Sequence, residues 1–246
     1  MSNDESAVAK LFMNRRQLKK TVLEILEKEN LETIFRVISG YQEHLLLNPL
    51  FIALCNNEER VRCHAVCCFG RIVPAMATRD MESARIVMRR FLWSLNDESG
   101  GIGWGAPEAM AEIMCHSERL RSEYLHMLIS YMREDGDERF QDGNYIELPM
   151  LQRGLLWGIG RLCQLHRGKM IEHRIAGDVA AYLNSPDCHV IGLAIRCLGL
   201  LGAASESARI APFLKNNTQL SLFIDDAIHS ITVAQIAENA LLRIHQ

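Results

Sequence analysis

Cys63, His64, Cys67 and Cys68 stand within six residues and carry side chains that could ligate a metal. On a helix, Cys63 and Cys67 lie one turn apart, as do His64 and Cys68. The two pairs are rotated by about 100° from one another, so convergence of all four on one ion is disfavoured. A tetrahedral site built on Cys63, His64 and Cys67 needs ligands from a second helix, and no CxxC pair occurs to supply them. Small thiols packed between helices are the leading reading, and the chain is expected to carry no metal or other cofactor. HExxH and GxSxG are also absent, which sets aside zincin and serine-hydrolase chemistry.

Tryptophan, arginine and glutamate recur at matched positions. Four segments overlay: VRCHAVCCFGRI from Val61, IGWGAPEAMAEI from Ile102, LQRGLLWGIGRL from Leu151 and VIGLAIRCLGLL from Val190. Each closes on a small residue at its tenth position: Gly70, Ala111, Gly160 and Gly199. The intervals of 41, 49 and 39 residues suit stacked helix pairs. Stacking would align Cys67, Glu108, Trp157 and Arg196 in one stripe and Cys63, Trp104, Arg153 and Gly192 in the next. Arg71, Glu112, Arg161 and Leu200 form a third. Tryptophan beside arginine is what binding faces favour, because both bury area and make directional contacts. The alternative places the tryptophans in the core with the arginines as a solvated rim.

The block NDESGGIGWGAPEAM concentrates Gly100, Gly101, Gly103 and Gly105 in six residues. Each costs a helix roughly 1 kcal/mol relative to alanine. Three readings stand: a tight helix crossing, a helix that starts late with Pro107 in its first turn and Glu108 at its positive end, or a cradle for a small-molecule ligand near Gly100–Pro107. A phosphate loop is excluded, since no GK[ST] ending follows.

The elements that must position these residues are helical. Apolar residues make up 48% and charged residues 23% of the 246, which suits a packed chain rather than a disordered one. Leu18, Val22, Ile25 and Leu26 give a lead-in helix, and Leu31 to Ile38 a second, read together as a cap over residues 1–44. Helix pairs then follow at 49–56 with 58–72, at 83–95 with a helix starting within 99–107, at 118–133 with 148–165, and at 171–183 with 188–201. The last pair is 207–214 and 233–244, with an irregular stretch between them. The whole of 1–246 is read as one domain, all-α, a right-handed α-α superhelix of about five helical hairpins.

Asn57 to Arg62 followed by Ala65 and Gly70, and Ser185-Pro186-Asp187 with Val190, Ala194 and Gly199, resemble the second helices of HEAT-like repeats. The short HEAT variety of phycobilisome-lyase proteins, in the armadillo-type superfamily, is the nearest in style. The block from Leu92 to Ile113 is similar to uncharacterised bacterial HEAT-like proteins. The resemblance implies a binding surface rather than a reaction.

The expectation is therefore a non-enzymatic scaffold holding a protein or peptide partner in a concave groove, with Arg71, Trp104, Glu108, Glu112, Arg153, Trp157, Arg161 and Arg196 lining it. HEAT-like alkylpurine DNA glycosylases are similar in size, and that resemblance would give Trp104, Glu108 and Trp157 catalytic parts. A net charge of −3 argues against this, and against nucleic-acid partners in general. A third reading is assembly of a cofactor or metalloenzyme. Eight cysteines without a secretory signal pattern point to reduced thiols in the cytoplasm, and the most apolar run, Leu45 to Leu54, is too short to span a membrane.

Overall fold

The computed structural model describes residues 14–96, 103–134 and 144–246. Gly100 and Gly101, and the first thirteen residues of the expected cap, lie outside them.

The lead-in helices α1 (Arg15–Lys28) and α2 (Leu31–Ile38) start where asparagine ends the preceding extended chain. Asn14 and Asn30 each accept a hydrogen bond from the backbone N–H three residues on, satisfying a donor that the helix leaves open. They bury Leu18, Val22, Leu26, Leu31, Ile34 and Ile38, the periodic apolar set. There follow α3 (Glu43–Leu54), α4 (Glu59–Arg79), α5 (Met81–Leu95), α6 (Ala106–His116), α7 (Glu118–Ser130), α8 (Pro149–Glu172), α9 (Ala176–Ala181), α10 (Cys188–Leu201), α11 (Ser207–Ile210) and α12 (Val233–Ile244). Helices α4, α6, α8, α10 and α12 pack in series as an inner row, with α3, α5, α7 and α9 against them as the outer partners. The core runs through the length of this arrangement, as stacked amphipathic hairpins require.

Several boundaries differ from the sequence expectation. Helix α3 begins six residues before Pro49, which sits inside it rather than in its first turn. Burial of Leu46, Leu50, Ala53 and Leu54 on the core side offsets the roughly 3 kcal/mol that an interior proline costs. Helix α4 likewise continues through Pro74 to Arg79. The helix expected over 171–183 is shorter: α8 extends to Glu172 through a kink at His166, and α9 keeps six residues before a 3₁₀ turn at Tyr182–Asn184.

The stretch before α12 is not irregular. It is an antiparallel hairpin of β1 (Gln219–Ile224) and β2 (Ala227–Thr232), pairing Leu222 with His229 and Ile224 with Ala227. The two-residue turn, Asp225-Asp226, has φ of 48° and 65°. Positive φ at both positions matches the twist of a type I′ hairpin. The hairpin adds two strands to an otherwise helical α-α superhelix. Among the described residues, no helix is long and apolar enough to cross a membrane.

Candidate functional site

Helix α6 starts late, and the glycines make the start. Gly103 and Gly105 both have positive φ, 62° and 71°. A Cβ at Gly105 would come within 2.8 Å of Leu54, and one at Gly103 within 2.9 Å of the Ser94 carbonyl oxygen. A left-handed cap with no room for a side chain turns the chain into α6, with Pro107 in its first turn. Trp104 and Glu108, four residues apart, thereby reach the inner face together.

There they line a cavity of about 240 Å³. Arg62 and Cys63 enter it from α4, Arg153 and Trp157 from α8, and His189 and Leu193 from α10. Ser221, Leu222 and Phe223 of β1 border it on the hairpin side, and Glu59 of α4 lies beside them. Two of the three expected stripes thus converge: Cys63, Trp104 and Arg153 from one, Glu108 and Trp157 from the other. Both tryptophans are half-buried at the cavity rather than sealed in the core. Gly105, tightly packed against Leu54, also borders the cavity.

Glu108 is the unusual member. Part of its side chain is exposed, but Oε2 is buried with no hydrogen-bond partner among the described residues. Desolvation raises its pKa to about 7, against smaller lowering influences from its own backbone N–H and from Arg62. A Cβ on Gly154 would lie 2.4 Å from the carboxyl atoms, so glycine at that position is what admits the carboxyl between α6 and α8.

One turn further along α6, Glu112 is in the opposite condition. Arg161 Nε donates to Oε2 at 2.9 Å and Nη2 to Oε1 at 3.0 Å, and His116 Nε2 lies 3.1 Å from Oε1. Burial alone would raise the Glu112 pKa, but bonds from His116 and Arg161 outweigh it and bring it to about 2. Arg153 is also paired, with Nε at 2.9 Å and Nη2 at 2.5 Å from Asp187 Oδ2. Arg196 is half-buried over Gly160 and donates to Gln164 at 3.3 Å. Arg71 is exposed, its guanidinium 5.7 Å from the Phe35 ring centroid.

The cysteine-histidine group does not gather. His64 is buried, with Nδ1 2.7 Å from the Leu26 carbonyl oxygen, while Cys63 borders the cavity and Cys67 is buried in the core. Burial, reinforced by Glu59 and Glu108, pushes the Cys63 thiol up to about 12, and Cys67 is also raised. Such thiols stay protonated at neutral pH and are poor nucleophiles and ligands. Among the described residues, no three of His, Cys, Asp and Glu form a metal-binding cluster.

The cavity wall from the hairpin, and Arg62 and His189 beside it, were not among the sequence candidates. The alternation of Leu220, Leu222 and Ile224 was the available signal for β1. Three contacts tie the hairpin across the inner face. Trp157 Nε1 donates to the Phe223 carbonyl at 2.6 Å, Ser221 Oγ to Glu59 Oε2 at 3.1 Å, and Gln164 Nε2 to Asp225 Oδ1 at 3.0 Å. Gly192, in the stripe with Trp104, leaves room for Leu220, whose Cδ1 would lie 2.6 Å from a Cβ there.

No family model and no curated protein matches the chain. Solved structures do. A designed armadillo repeat protein superposes with a TM-score of 0.53 at 14% identity, covering 97% of this chain and 98% of its own. This is an armadillo-type repeat fold. A second designed armadillo repeat protein, in complex with the peptide (KR)4, gives 0.52 at 16% identity over 99% of this chain and 100% of that one. An engineered protein gives 0.54 at 13% identity over 100% and 97%.

Proposed function

We propose that the chain is a non-enzymatic binding module that holds an extended segment of a protein or peptide partner against its inner helical face. The observation that carries this is the hairpin. Strand β1 is an extended segment already seated on that face, with a backbone carbonyl taken by Trp157 and a side chain taken by Glu59. A face that already seats one extended strand of its own chain has the shape to seat an extended partner segment beside it. The peptide complex of a designed protein with this fold supports the same use of the surface. Arg71, exposed at one end of the row, offers a bidentate group to an acidic residue of the partner. In this reading residues 1–246 act as one domain capped by 1–44, and the protein works in the cytoplasm.

Selection of peptides from a random displayed library, followed by photo-crosslinking from probes placed in turn at Arg71 and Leu200 on the inner row and at Ile86 and Trp93 on α5, tests it. Peptides that enrich and crosslink at these inner positions are the expected result. Crosslinks confined to the outer helix α5, where Ile86 and Trp93 are exposed, would sink the reading, as would failure of any peptide to enrich.

A further inference from the structure

The cavity beneath the hairpin is a site separate from a peptide-binding surface. We infer that it binds a compact organic cation with a flat apolar body, its charged N–H donors meeting Glu108 and its body lying against Trp104 and Trp157. The cavity's 240 Å³ lies just below the range of drug-sized pockets and suits a small ligand of roughly ten non-hydrogen atoms.

The choice of a cation follows from what each charged wall group already has. On α4, Arg62 Nη1 donates to the carbonyls of Asn56 at 2.7 Å and Asn57 at 2.8 Å, while Glu59 accepts from Ser221. On α8, Arg153 is spent on Asp187. On α10, burial and then Arg153 lower the pKa of His189, which favours the neutral ring. Cys63 stays a thiol, and the cavity-lining residues of β1, Ser221, Leu222 and Phe223, bring no ionisable group. Glu108 Oε2 is left as the buried acceptor without a donor. Leaving such a group unpaired is costly, so a ligand that supplies an N–H and a positive charge gains what the empty site lacks. Indole faces add attraction for a cation and area for a flat body. An anion would meet Glu108 and Glu59 with its counter-charges already engaged.

Binding must release the proton that Glu108 carries, so affinity rises with pH. Between pH 6 and pH 8 the ionised fraction goes from about one tenth to about nine tenths, which makes the expected gain about tenfold.

The probes are benzamidinium, its neutral isostere benzamide and the anion benzoate. Tryptophan fluorescence is followed in a Trp93→Phe background, because Trp93 is 73% exposed on α5 and would otherwise dilute the signal. Benzamidinium should quench saturably, bind at least tenfold more tightly at pH 8 than benzamide or benzoate, and weaken about tenfold at pH 6. Calorimetry in two buffers of different ionisation enthalpy should register release of close to one proton at pH 6. Glu108→Gln should remove the pH step, whereas His189→Asn should retain it. Equal binding of benzamide or benzoate, pH-independent binding of benzamidinium, or no quenching up to about 10 mM overturns the inference. The series on Trp93→Phe with Glu108 intact decides it even if Glu108→Gln fails to fold. A cation in the cavity and a peptide on the inner face are separate occupants, so failure of one leaves the other standing.

Discussion

Two carboxyls one helical turn apart set opposite pH dependences. Glu108 titrates near 7 in the fold against about 4.5 in the unfolded chain, because burial disfavours its charge. Its stabilising contribution is therefore complete below pH 4.5 and lost as pH rises through 7, a loss of up to about 3 kcal/mol. Urea unfolding of wild type and Glu108→Gln between pH 4 and 8 should show the variant gaining relative stability across that window. Parallel curves would mean that the carboxyl is already ionised or solvated. Glu112 works the other way. Its pKa falls from 4.5 to about 2 because bonds from His116 and Arg161 overcome the effect of burial. The stability it supplies is present above pH 4.5 and lost as pH falls through 2. Arg161→Met strands this carboxylate and should cost about 3–5 kcal/mol at pH 7, with a smaller cost at pH 3. None of this was legible in the sequence. Glu112 differs from Glu108 in having His116 four residues on and Arg161 of the next inner helix within reach, and helical spacing does not specify the reach of that arginine.

At the scale of elements, the helices with clear apolar periods and polar caps were readable, and the hairpin was not. Helices α2, α10 and α12 fall at the expected bounds because each is bracketed by a capping side chain and a matching burial pattern: Asn30, Asp187 and Thr232 accept from the first-turn backbone. Strand β1 alternates over few residues, β2 is mostly exposed, and the turn is Asp-Asp without the glycine that marks a tight hairpin. That departure should be measurable. Asp226 holds φ of 65° with a side chain attached, so Asp226→Gly should stabilise the hairpin by about 1 kcal/mol. Asp225 is a poorer choice, since it accepts from Gln164. Trp157→Phe removes the donor to Phe223 and should lower the amide protection of residues 219–232, at a cost of about 1 kcal/mol, while α10 stays protected. Hydrogen exchange on the two variants separates them: one slows the hairpin amides and the other speeds them. If neither moves them, the hairpin is held by burial of Leu220, Leu222 and Phe223 rather than by its turn or the Trp157 bond.

Across the molecule, the overlay of four segments was a statement about helix crossings. The small residues at its tenth position lie where one inner helix meets the next. A Cβ on Gly70 would strike Glu112 at 2.5 Å, one on Gly160 would strike Arg196 at 2.9 Å, and one on Gly199 would strike Ala240 at 2.6 Å. The repeat signal was therefore legible because backbone approach between stacked helices admits few residue types. The occupants of the face they create were not, because a strand arriving from the C-terminal side carries no mark of its destination. Gly199 gives the sharpest test of the stacking. Its neighbours include the Ala240 Cα at 2.6 Å, which cannot rotate away as a flexible side chain would. Gly199→Val should then part α10 from α12 and cost about 1–3 kcal/mol or more from overpacking. Because a repeat array couples mainly to its neighbours, α12 and the adjoining hairpin should lose exchange protection before α4 and α6 do. Uniform loss along the row would show that the stack unfolds as one unit. Unchanged stability would mean that the two helices cross farther apart than this packing requires.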